Sequence, residues 1–415
     1  MKTTKTGFLH YSAPPVIGGV EAVIYAHARV FVEAGYPVTV IAGRGEQAAL
    51  PAGVTFVRIP LLDTQHPQIL AASAELDAGR VPENFSALVD EIVEALDPLL
   101  AEFDNLIVHN ILGKHFNLPL TAALFRLMDG GVIHHCIFWG HDFTWTSPRS
   151  RSKVHPGYPW DLLRTYRQDV TYVAVSEKRA RELAGLFEIP EEGIHVVYNG
   201  VNPKTLLGLS EQGFALIERL GLFAADLVML MPVRVTQAKN IEFALRVTAA
   251  LKESGLKCRL VLSGPPDPHD DQSMRYFNQL RELRRELDVE DEMRFVFESG
   301  PQPEQGFTIG IQVVGDLYRV CDLMFMPSHR EGYGMPVLEA GLVGVPVIST
   351  SVVPAAQEIG GEDVILFDLD EEPGSVAKRI RHLLENDPLY HMRCRVRRNY
   401  TWRNLFRRRI EPLLK

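Results

Sequence analysis

Two carboxylates on one segment, Glu331 and Glu339, have the residue type and spacing to bind a ligand. The segment begins where an apolar run ends at Ser328, continues through a glycine-containing turn, and starts a helix near Pro336. The free backbone N–H groups of a helix start favour anions or hydroxyl groups. Since a carboxylate accepts hydrogen bonds from pairs of hydroxyls, this segment predicts a site for a polyhydroxylated ligand.

Two cations, Arg234 and Lys239, follow the apolar run 227–233. A planar guanidinium and a compact ammonium together match the oxygens of a diphosphate. Cations placed just before a helix oppose its dipole, which makes a purely structural role less favourable. A third segment follows the first apolar run and opens the first predicted helix with Gly18 and Gly19. Two adjacent glycines let the backbone approach a phosphate closely.

Short aliphatic runs alternate with stretches of helical apolar spacing, which predicts parallel sheets covered on both faces. One sheet with so many strands would be unusually large, so we expect two doubly wound domains. Ligands of such sheets bind at the carboxyl ends of the strands, so the site is expected in a central cleft between facing strand ends. The turn-rich segment 198–203 separates a first domain, 1–203, from a second, 204–390. The predicted strands are 7–12, 37–42, 55–60, 105–109, 132–138, 171–176, 195–198, 227–233, 259–263, 293–298, 323–328, 346–349 and 364–367.

The composition is typical of a globular protein, with 415 residues, 46% of them hydrophobic and 23% charged. The formal net charge of −9 argues against a nucleic-acid partner. The 4 cysteines form no CxxC pair, so we expect free thiols in a reducing compartment rather than disulfides or a zinc site. No stretch predicts a signal peptide or a membrane span, so the sequence predicts a cytoplasmic protein.

Two basic segments each allow two interpretations. The arginine-rich tail 392–415 is interpreted as a terminal helix packed on the acidic body, and the alternative is contact with an anionic membrane surface. A second basic set follows His141 and could attract an anionic acceptor or simply belong to an exposed loop. Its members are Arg149, Arg151, Lys153, Arg164 and Arg167.

In combination, these segments resemble the retaining glycosyltransferases of family 4, which adopt the GT-B fold. The block EGYGMPVLEA at 331–340, with its two glutamates, is similar to the signature of that family. The resemblance continues through PPVIGGVE at 14–21, the two cations, VSE at 175–177 and YNGV at 198–201. The YTW sequence at 400–402 is similar to the start of a terminal helix that crosses back onto the first domain.

The resemblance implies a role for each of these positions. Glu339 would bind the ribose hydroxyls of a nucleotide sugar, and Glu331 the hydroxyls of the transferred sugar. Arg234 and Lys239 would neutralise the diphosphate, and His141 would lie at the reacting centre. The implied catalytic residues are Glu331, His141, Arg234 and Lys239; the donor-binding residues are Gly18, Gly19, Arg234, Lys239, Glu331, Gly332, Tyr333, Gly334, Met335, Pro336 and Glu339; and the acceptor-side residues are His109, Asn110, His141 and Asp142.

The implied reaction is transfer of a hexose from a UDP-, GDP- or ADP-hexose to an acceptor hydroxyl with retention of anomeric configuration. The acceptor is left open as a small molecule, a glycan or a lipid-linked sugar, with an anionic acceptor among the options. No metal or cofactor is expected, since Arg234 and Lys239 would supply the positive charge. Two alternatives remain: a GT-B disaccharide phosphorylase that uses free phosphate, and a non-catalytic binder of sugars or nucleotides.

Overall fold

The chain folds into two compact units, each built on one parallel sheet. The computed structural model of the protein describes residues 4–267, 271–302 and 305–415. Unit 1 comprises Met1–Gly200 and Trp402–Lys415, and unit 2 comprises Val201–Thr401.

The division of the chain differs in detail from the predicted domain boundaries. The chain leaves unit 1 after Gly200, three residues before the predicted boundary at 203. It returns after Thr401, whereas the prediction assigned all of 392–415 to the first domain. The basic segment before Thr401 stays in unit 2 because Arg397 is buried there in an ion pair with Asp322.

Unit 1 contains the strands β1 (Thr6–Ser12), β2 (Val38–Arg44), β3 (Val54–Arg58), β4 (Asn105–His109), β5 (Cys136–Gly140), β6 (Val170–Ala174) and β7 (Ile194–Val196). Their order in the sheet is β3-β2-β1-β4-β5-β6-β7, and every neighbouring pair is parallel. The direction of winding reverses between β1 and β4, so this pair marks the topological switch point where ligands of such sheets bind.

Helices cover both faces of the unit 1 sheet. On one face, Phe8 and Trp139 pack with the first helix and with the C-terminal segment. On the other, Leu9 and Phe138 pack with the helices that precede and follow β4. Burial on both faces explains why these strands are continuous apolar runs in the sequence. The helices are α1 (Gly19–Glu33), α2 (Pro67–Asp77), α3 (Phe85–Leu100), α4 (Leu118–Asp129) and α5 (Glu177–Phe187).

Unit 2 contains the strands β8 (Leu227–Met231), β9 (Cys258–Leu262), β10 (Met293–Phe295), β11 (Leu323–Met326), β12 (Val347–Thr350) and β13 (Ile365–Phe367). The order is β10-β9-β8-β11-β12-β13, again parallel throughout, and the winding reverses between β8 and β11. Both units therefore have the doubly wound, Rossmann-like α/β fold that the sequence predicts.

Two hydrophobic layers also cover the unit 2 sheet. Met229 and Phe325 pack on one face, and Val228 and Met324 on the other. The helices of this unit are α6 (Pro203–Leu206), α7 (Glu211–Arg219), α8 (Ile241–Glu253), α9 (Asp271–Glu286), α10 (Ile311–Val320), α11 (Met335–Val343), α12 (Pro373–Asn386) and α13 (Pro388–Asn399).

The C-terminal segment after Thr401 packs on unit 1. It begins with the short helix α14 (Trp402–Leu405) and continues as a wider π-helical turn, Phe406–Ile410. Trp402 and Phe406 are buried against α1, while the arginines at 407–409 are exposed. The packed interpretation of the tail therefore holds for its apolar side chains. Within the described ranges, no helix has both the length and the apolar composition needed to cross a bilayer.

Every predicted strand overlaps an observed one. The largest displacement is in β5, predicted at 132–138 and found at Cys136–Gly140. Residues 132–135 precede the strand, with a bend at 134–135, where His135 is buried and hydrogen-bonded to Asn105 and Thr171. The predicted placement of His134 and His135 on a strand is therefore wrong, because both residues precede Cys136, the first residue of β5.

Candidate active site

In unit 2, the loops that follow β8 and β11 meet at the switch point of the sheet. The backbone N–H groups of His329 and Arg330 donate to the carbonyl oxygen of Ala238, at 2.9 and 3.3 Å. These bonds fasten the loop after β11 to the loop after β8. The two loops that carry the predicted cations and the predicted Glu331 therefore form one surface.

Lys239 and Glu331 form an ion pair across these two loops. The ammonium of Lys239 contacts Oε2 of Glu331, and each side chain is only 17% exposed. Asn240, the next residue, is buried in the left-handed region at φ 50° and starts α8. Because water is largely withdrawn from both charges, their attraction exceeds that of a pair on an open surface.

Arg234 has a different environment. Its side chain is exposed and has no hydrogen-bond or ion-pair partner among the described residues. The backbone beside it is fixed, because the N–H of Gly264 donates to the carbonyl oxygen of Val233 at 3.1 Å. A Cβ at Gly264 would lie 2.3 Å from that oxygen, so the close approach requires glycine. The structure leaves the Arg234 guanidinium free to bind an anion.

The start of α11 follows the same loop. Pro336 has no N–H and the N–H of Val337 donates to the carbonyl oxygen of Gly334 at 2.9 Å, so of the first three residues only Met335 has an N–H without a backbone partner among the described residues. The helix begins at Met335, and Gly334 before it has φ 104°, a conformation that favours glycine. A Cβ at Gly334 would lie 2.6 Å from a methyl group of Val353. The carbonyl oxygen of Tyr333 accepts a hydrogen bond of 2.8 Å from the N–H of Ala355. The predicted helix start is confirmed, and Gly332, Tyr333 and Met335 are exposed beside it.

Glu339 lies inside α11 and is held by a residue that the sequence analysis missed. The hydroxyl of Tyr318 donates to Oε2 of Glu339 at 2.9 Å and also lies 3.3 Å from the carbonyl oxygen of Pro336. Burial, together with this carboxylate, raises the pKa of Tyr318 far above its ordinary value, so the phenol remains a hydrogen-bond donor. Oε1 of Glu339 has no protein partner among the described residues and can accept a ligand hydroxyl.

Gly18 and Gly19, both predicted to bind the donor, belong to unit 1, whereas the other predicted donor-binding residues belong to unit 2. Gly19 is the first residue of α1, and a Cβ there would meet no neighbour. A Cβ at Gly18 would lie 2.0 Å from Oε2 of Glu21. That carboxylate is buried and accepts a hydrogen bond of 2.5 Å from Ser12 at the end of β1. Gly18 therefore leaves the space that the carboxylate of Glu21 occupies. The sequence analysis did not identify Glu21 as a residue of this site.

The four predicted acceptor-side residues come together at the ends of β4 and β5. Nδ1 of His109 lies 3.3 Å from Nε2 of His141, and their rings are stacked. Asn110 adopts the left-handed region at φ 61°, and its Oδ1 accepts from the backbone N–H groups of His141 and Asp142, at 2.8 and 3.4 Å. Asn110 therefore positions the turn that presents His141.

The charges around His141 determine what its ring can do. Burial lowers the pKa of His141 to about 4, with His10 adding to the effect and Asp142 opposing it. Burial also lowers the pKa of His109 well below its ordinary value. Both rings are neutral at pH 7, so one donates to the other and neither carries charge. Lys114, which the sequence analysis missed, pairs with Asp142.

Two more histidines support this pair from within the core of unit 1. Nδ1 of His10 lies 2.9 Å from the carbonyl oxygen of His109, to which it donates. His27, on α1, is fully buried among aromatic rings that include His109, Trp139 and Trp402. The apolar periodicity of α1 indicates that one face of this helix is buried, but it does not show which distant residues pack against His27. Among the described residues, no group of three or more His, Cys, Asp or Glu side chains could hold a metal ion.

Each half of the chain matches a family model. Residues 17–205 match the model described as Glycosyltransferase Family 4, and residues 215–399 match the model described as Glycosyl transferases group 1. These matches support a glycosyltransferase of the family 4 type. The match in unit 1 contains the stacked histidines, and the match in unit 2 contains the Lys239–Glu331 ion pair.

Two curated proteins are among those similar to this chain. The chain is 32% identical over 182 residues to a D-inositol 3-phosphate glycosyltransferase from Thermobispora bispora, which covers 43% of this chain and 40% of the relative. It is 24% identical over 298 residues to a mannosylglucosylglycerate synthase from Petrotoga mobilis, and this match covers 66% of this chain and 65% of the relative. The chain thus spans less than two thirds of the length of either relative.

One solved structure aligns over nearly the whole chain. The crystal structure of a glycosyltransferase from Rickettsia africae ESF-5 aligns over 99% of this chain and 98% of that one, with 17% identity and a TM-score of 0.35. The assignment of the fold rests on the order of strands within each sheet and not on this alignment.

Proposed function

We propose that this protein is a retaining hexosyltransferase that moves a sugar from a nucleoside diphosphate sugar to an acceptor hydroxyl. The observation that carries the proposal is the Lys239–Glu331 ion pair at the switch point of unit 2. It places a cation suited to a phosphate directly beside a carboxylate suited to sugar hydroxyls. A nucleoside diphosphate sugar has both groups on neighbouring parts of one molecule.

The remaining groups of this surface fit the rest of such a donor. Arg234 is exposed and unpaired among the described residues, and it would bind the diphosphate as a planar fork. The N–H of Met335 at the start of α11 would bind a phosphate or sugar oxygen. Oε1 of Glu339 would accept the ribose hydroxyls, with Tyr318 holding the carboxylate in place.

The charges that develop during transfer explain how these groups would promote it. The bond between the anomeric carbon and the phosphate oxygen breaks, and negative charge grows on the departing diphosphate. Arg234, Lys239 and the start of α11 would stabilise that charge in fixed positions. The acceptor oxygen bonds to the same face of the sugar, and its proton passes to the departing phosphate oxygen. The neutral ring of His141 would contribute a hydrogen bond and not a positive charge.

An anionic acceptor is the finer part of the proposal. The names of the two relatives contain an inositol phosphate and a glycerate, both anionic. In unit 1, Arg164 pairs with Asp161, whereas Arg151 has no carboxylate partner among the described residues. Both guanidinium groups stack on the ring of Trp145, at 4.1 and 4.2 Å from its centroid. Arg151 is therefore held in place while its charge remains available.

The proposed reaction is tested by incubating the protein with UDP-, GDP- and ADP-glucose and with acceptors such as inositol phosphate and glycerate. We expect release of one nucleoside diphosphate, and nuclear magnetic resonance of the product should show the anomeric configuration of the donor. Release dependent on inorganic phosphate, or binding with no turnover, would favour the phosphorylase or the binding protein instead. Glu331→Ala should abolish transfer while the protein stays folded.

The anionic acceptor has a separate test. Arg151→Gln should raise the KM for an anionic acceptor by about tenfold, as expected when one charge-assisted hydrogen bond is lost. The KM for the donor should not change. Arg126→Gln is the matched control, since Arg126 is an exposed arginine of the same unit that pairs with Asp90. Equal KM values for wild type and Arg151→Gln would refute this role.

A further inference from the structure

The Lys239–Glu331 ion pair sets a condition on any ligand that binds at this surface. The two loops are joined by backbone hydrogen bonds, and the ammonium and the carboxylate pair with each other. Each side chain is only 17% exposed, so neither charge is well solvated if its partner is taken away. A ligand that engages one of the two residues must therefore compensate the other.

A donor and its nucleotide product differ in how they meet this condition. The diphosphate of either molecule competes with Glu331 for Lys239. Only the donor also brings sugar hydroxyls, which donate to the carboxylate that the diphosphate has displaced. The free nucleoside diphosphate leaves Glu331 charged, poorly solvated and close to phosphate negative charge.

We propose that the Lys239–Glu331 ion pair makes this site select the nucleoside diphosphate sugar over the nucleoside diphosphate product. The inference rests on the proposed function and adds a second role for Glu331, which opposes binding of the product besides contacting the sugar. When transfer removes the hexose, Glu331 loses its hydroxyl partners and recovers Lys239. The ion pair thereby promotes release of the product after each turnover.

The test compares the affinity of wild type and Glu331→Gln for two classes of ligand. Isothermal titration is carried out with UDP, GDP and ADP and with the matching glucose nucleotides, without acceptor. Glutamine retains the shape of the side chain but frees Lys239. We expect Glu331→Gln to bind the nucleoside diphosphate about tenfold more tightly than wild type, equivalent to about 1.4 kcal/mol. Its affinity for the donor should be unchanged or weaker.

A matched control separates the ion pair from the general loss of a negative charge. Glu253→Gln removes one carboxylate from the last residue of α8, at the far end of the helix that starts after Lys239. It should leave both affinities unchanged. If Glu331→Gln does not fold, Glu331→Asp serves instead, since its shorter side chain weakens the contact and should shift product affinity in the same direction.

The outcomes distinguish this inference from the proposed function. Wild-type protein that binds none of the six nucleotides would refute both. Wild-type protein that binds a donor, with product affinity unchanged or weaker in Glu331→Gln, would refute the inference and leave the proposed function standing. Tighter product binding by Glu253→Gln as well would also overturn the inference, because the effect would then be one of net charge.

Discussion

His27 gives the structure a sharp pH-dependent test in unit 1. Its ring is fully buried on α1 among aromatic side chains, and neither ring nitrogen has a hydrogen-bond partner among the described residues. Burial, with a smaller contribution from His141, lowers the pKa of His27 from 6.5 to about 3. In the unfolded chain the same ring takes up a proton below pH 6.5. We therefore predict that His27→Leu removes the contribution of this ring to the acid sensitivity of unit 1, to which other buried histidines such as His141 also contribute.

The size of the effect follows from proton linkage. Between pH 6.5 and pH 3 the unfolded chain binds more protons at His27 than the folded chain, so stability rises with pH in this window. At pH 5.0 the distance from the unfolded pKa is about 1.5 units, which corresponds to about 2 kcal/mol. Leucine has no such dependence. The stability of His27→Leu relative to wild type should therefore increase by about 2 kcal/mol between pH 7.5 and pH 5.0.

Tryptophan fluorescence during urea denaturation measures this difference in stability between His27→Leu and wild type, and it reports on unit 1. The protein has 4 tryptophans, at positions 139, 145, 160 and 402, and all of them lie in unit 1. Changes in packing caused by leucine do not depend on pH and cancel in the comparison. His195→Leu, which alters an exposed histidine on β7, is the control and should show no pH-dependent gap. A gap for His27→Leu that changes by less than about 0.5 kcal/mol would refute the reasoning, because the buried ring would then accept a proton at little cost.

Three further predictions concern the two units separately. Gly334→Ala should destabilise unit 2 by about 1–3 kcal/mol and weaken nucleotide binding, because Gly334 has a φ of 104° and a Cβ there would lie 2.6 Å from a valine methyl group. Thermal shift with and without nucleotide measures both effects. The control is Gly344→Ala at the other end of α11, where a Cβ meets no neighbour, and it should leave nucleotide binding intact. Arg397→Met should lower the free energy of unfolding by about 3–5 kcal/mol, because it leaves the buried carboxylate of Asp322 without its cation. Thermal melts followed by far-ultraviolet circular dichroism measure this loss, and a loss below about 1 kcal/mol would contradict a buried ion pair. Burial lowers the pKa of His141 to about 4, so protonation of this ring should not reduce kcat/KM between pH 8 and pH 5.5. A decrease of kcat/KM below about pH 6.5 that is present in wild type and absent in His141→Asn would contradict this prediction, because the ring would then take up a proton in that range.

The strands were predictable because each is buried on both faces. Such strands are continuous aliphatic runs, and runs such as 105–109 coincide with the observed strand. The order of strands within each sheet was not predictable from these runs, since each crossover can place the next strand on either side. The start of β5 was misplaced because His135, just before Cys136, is buried without belonging to the strand: its side chain is hydrogen-bonded to Asn105 and Thr171 in a bend.

The candidate site was predictable in its residue types but not in its pairings. Glycines, cations and carboxylates after apolar runs identified the loops of unit 2. The contact between Lys239 and Glu331 depends on β8 lying next to β11, which only the fold reveals. Tyr318, Lys114 and Glu21 were missed because a tyrosine in a helix or an isolated charge has many structural roles, and its partner is distant in the sequence.

The two switch points explain why the predicted residues converge within each unit. In a doubly wound sheet, the two central strands send their following loops to opposite faces, which leaves a gap at their carboxyl ends. In unit 2 those strands are β8 and β11, and their loops contribute the cations and the first carboxylate. In unit 1 the corresponding strands are β1 and β4; Gly18 lies in the loop after β1, and His109 is the last residue of β4. The same arrangement that creates a gap for a ligand also brings Lys239 against Glu331. Competition between ligand and ion pair is therefore a consequence of the topology, and the affinity of Glu331→Gln for a nucleoside diphosphate measures it directly.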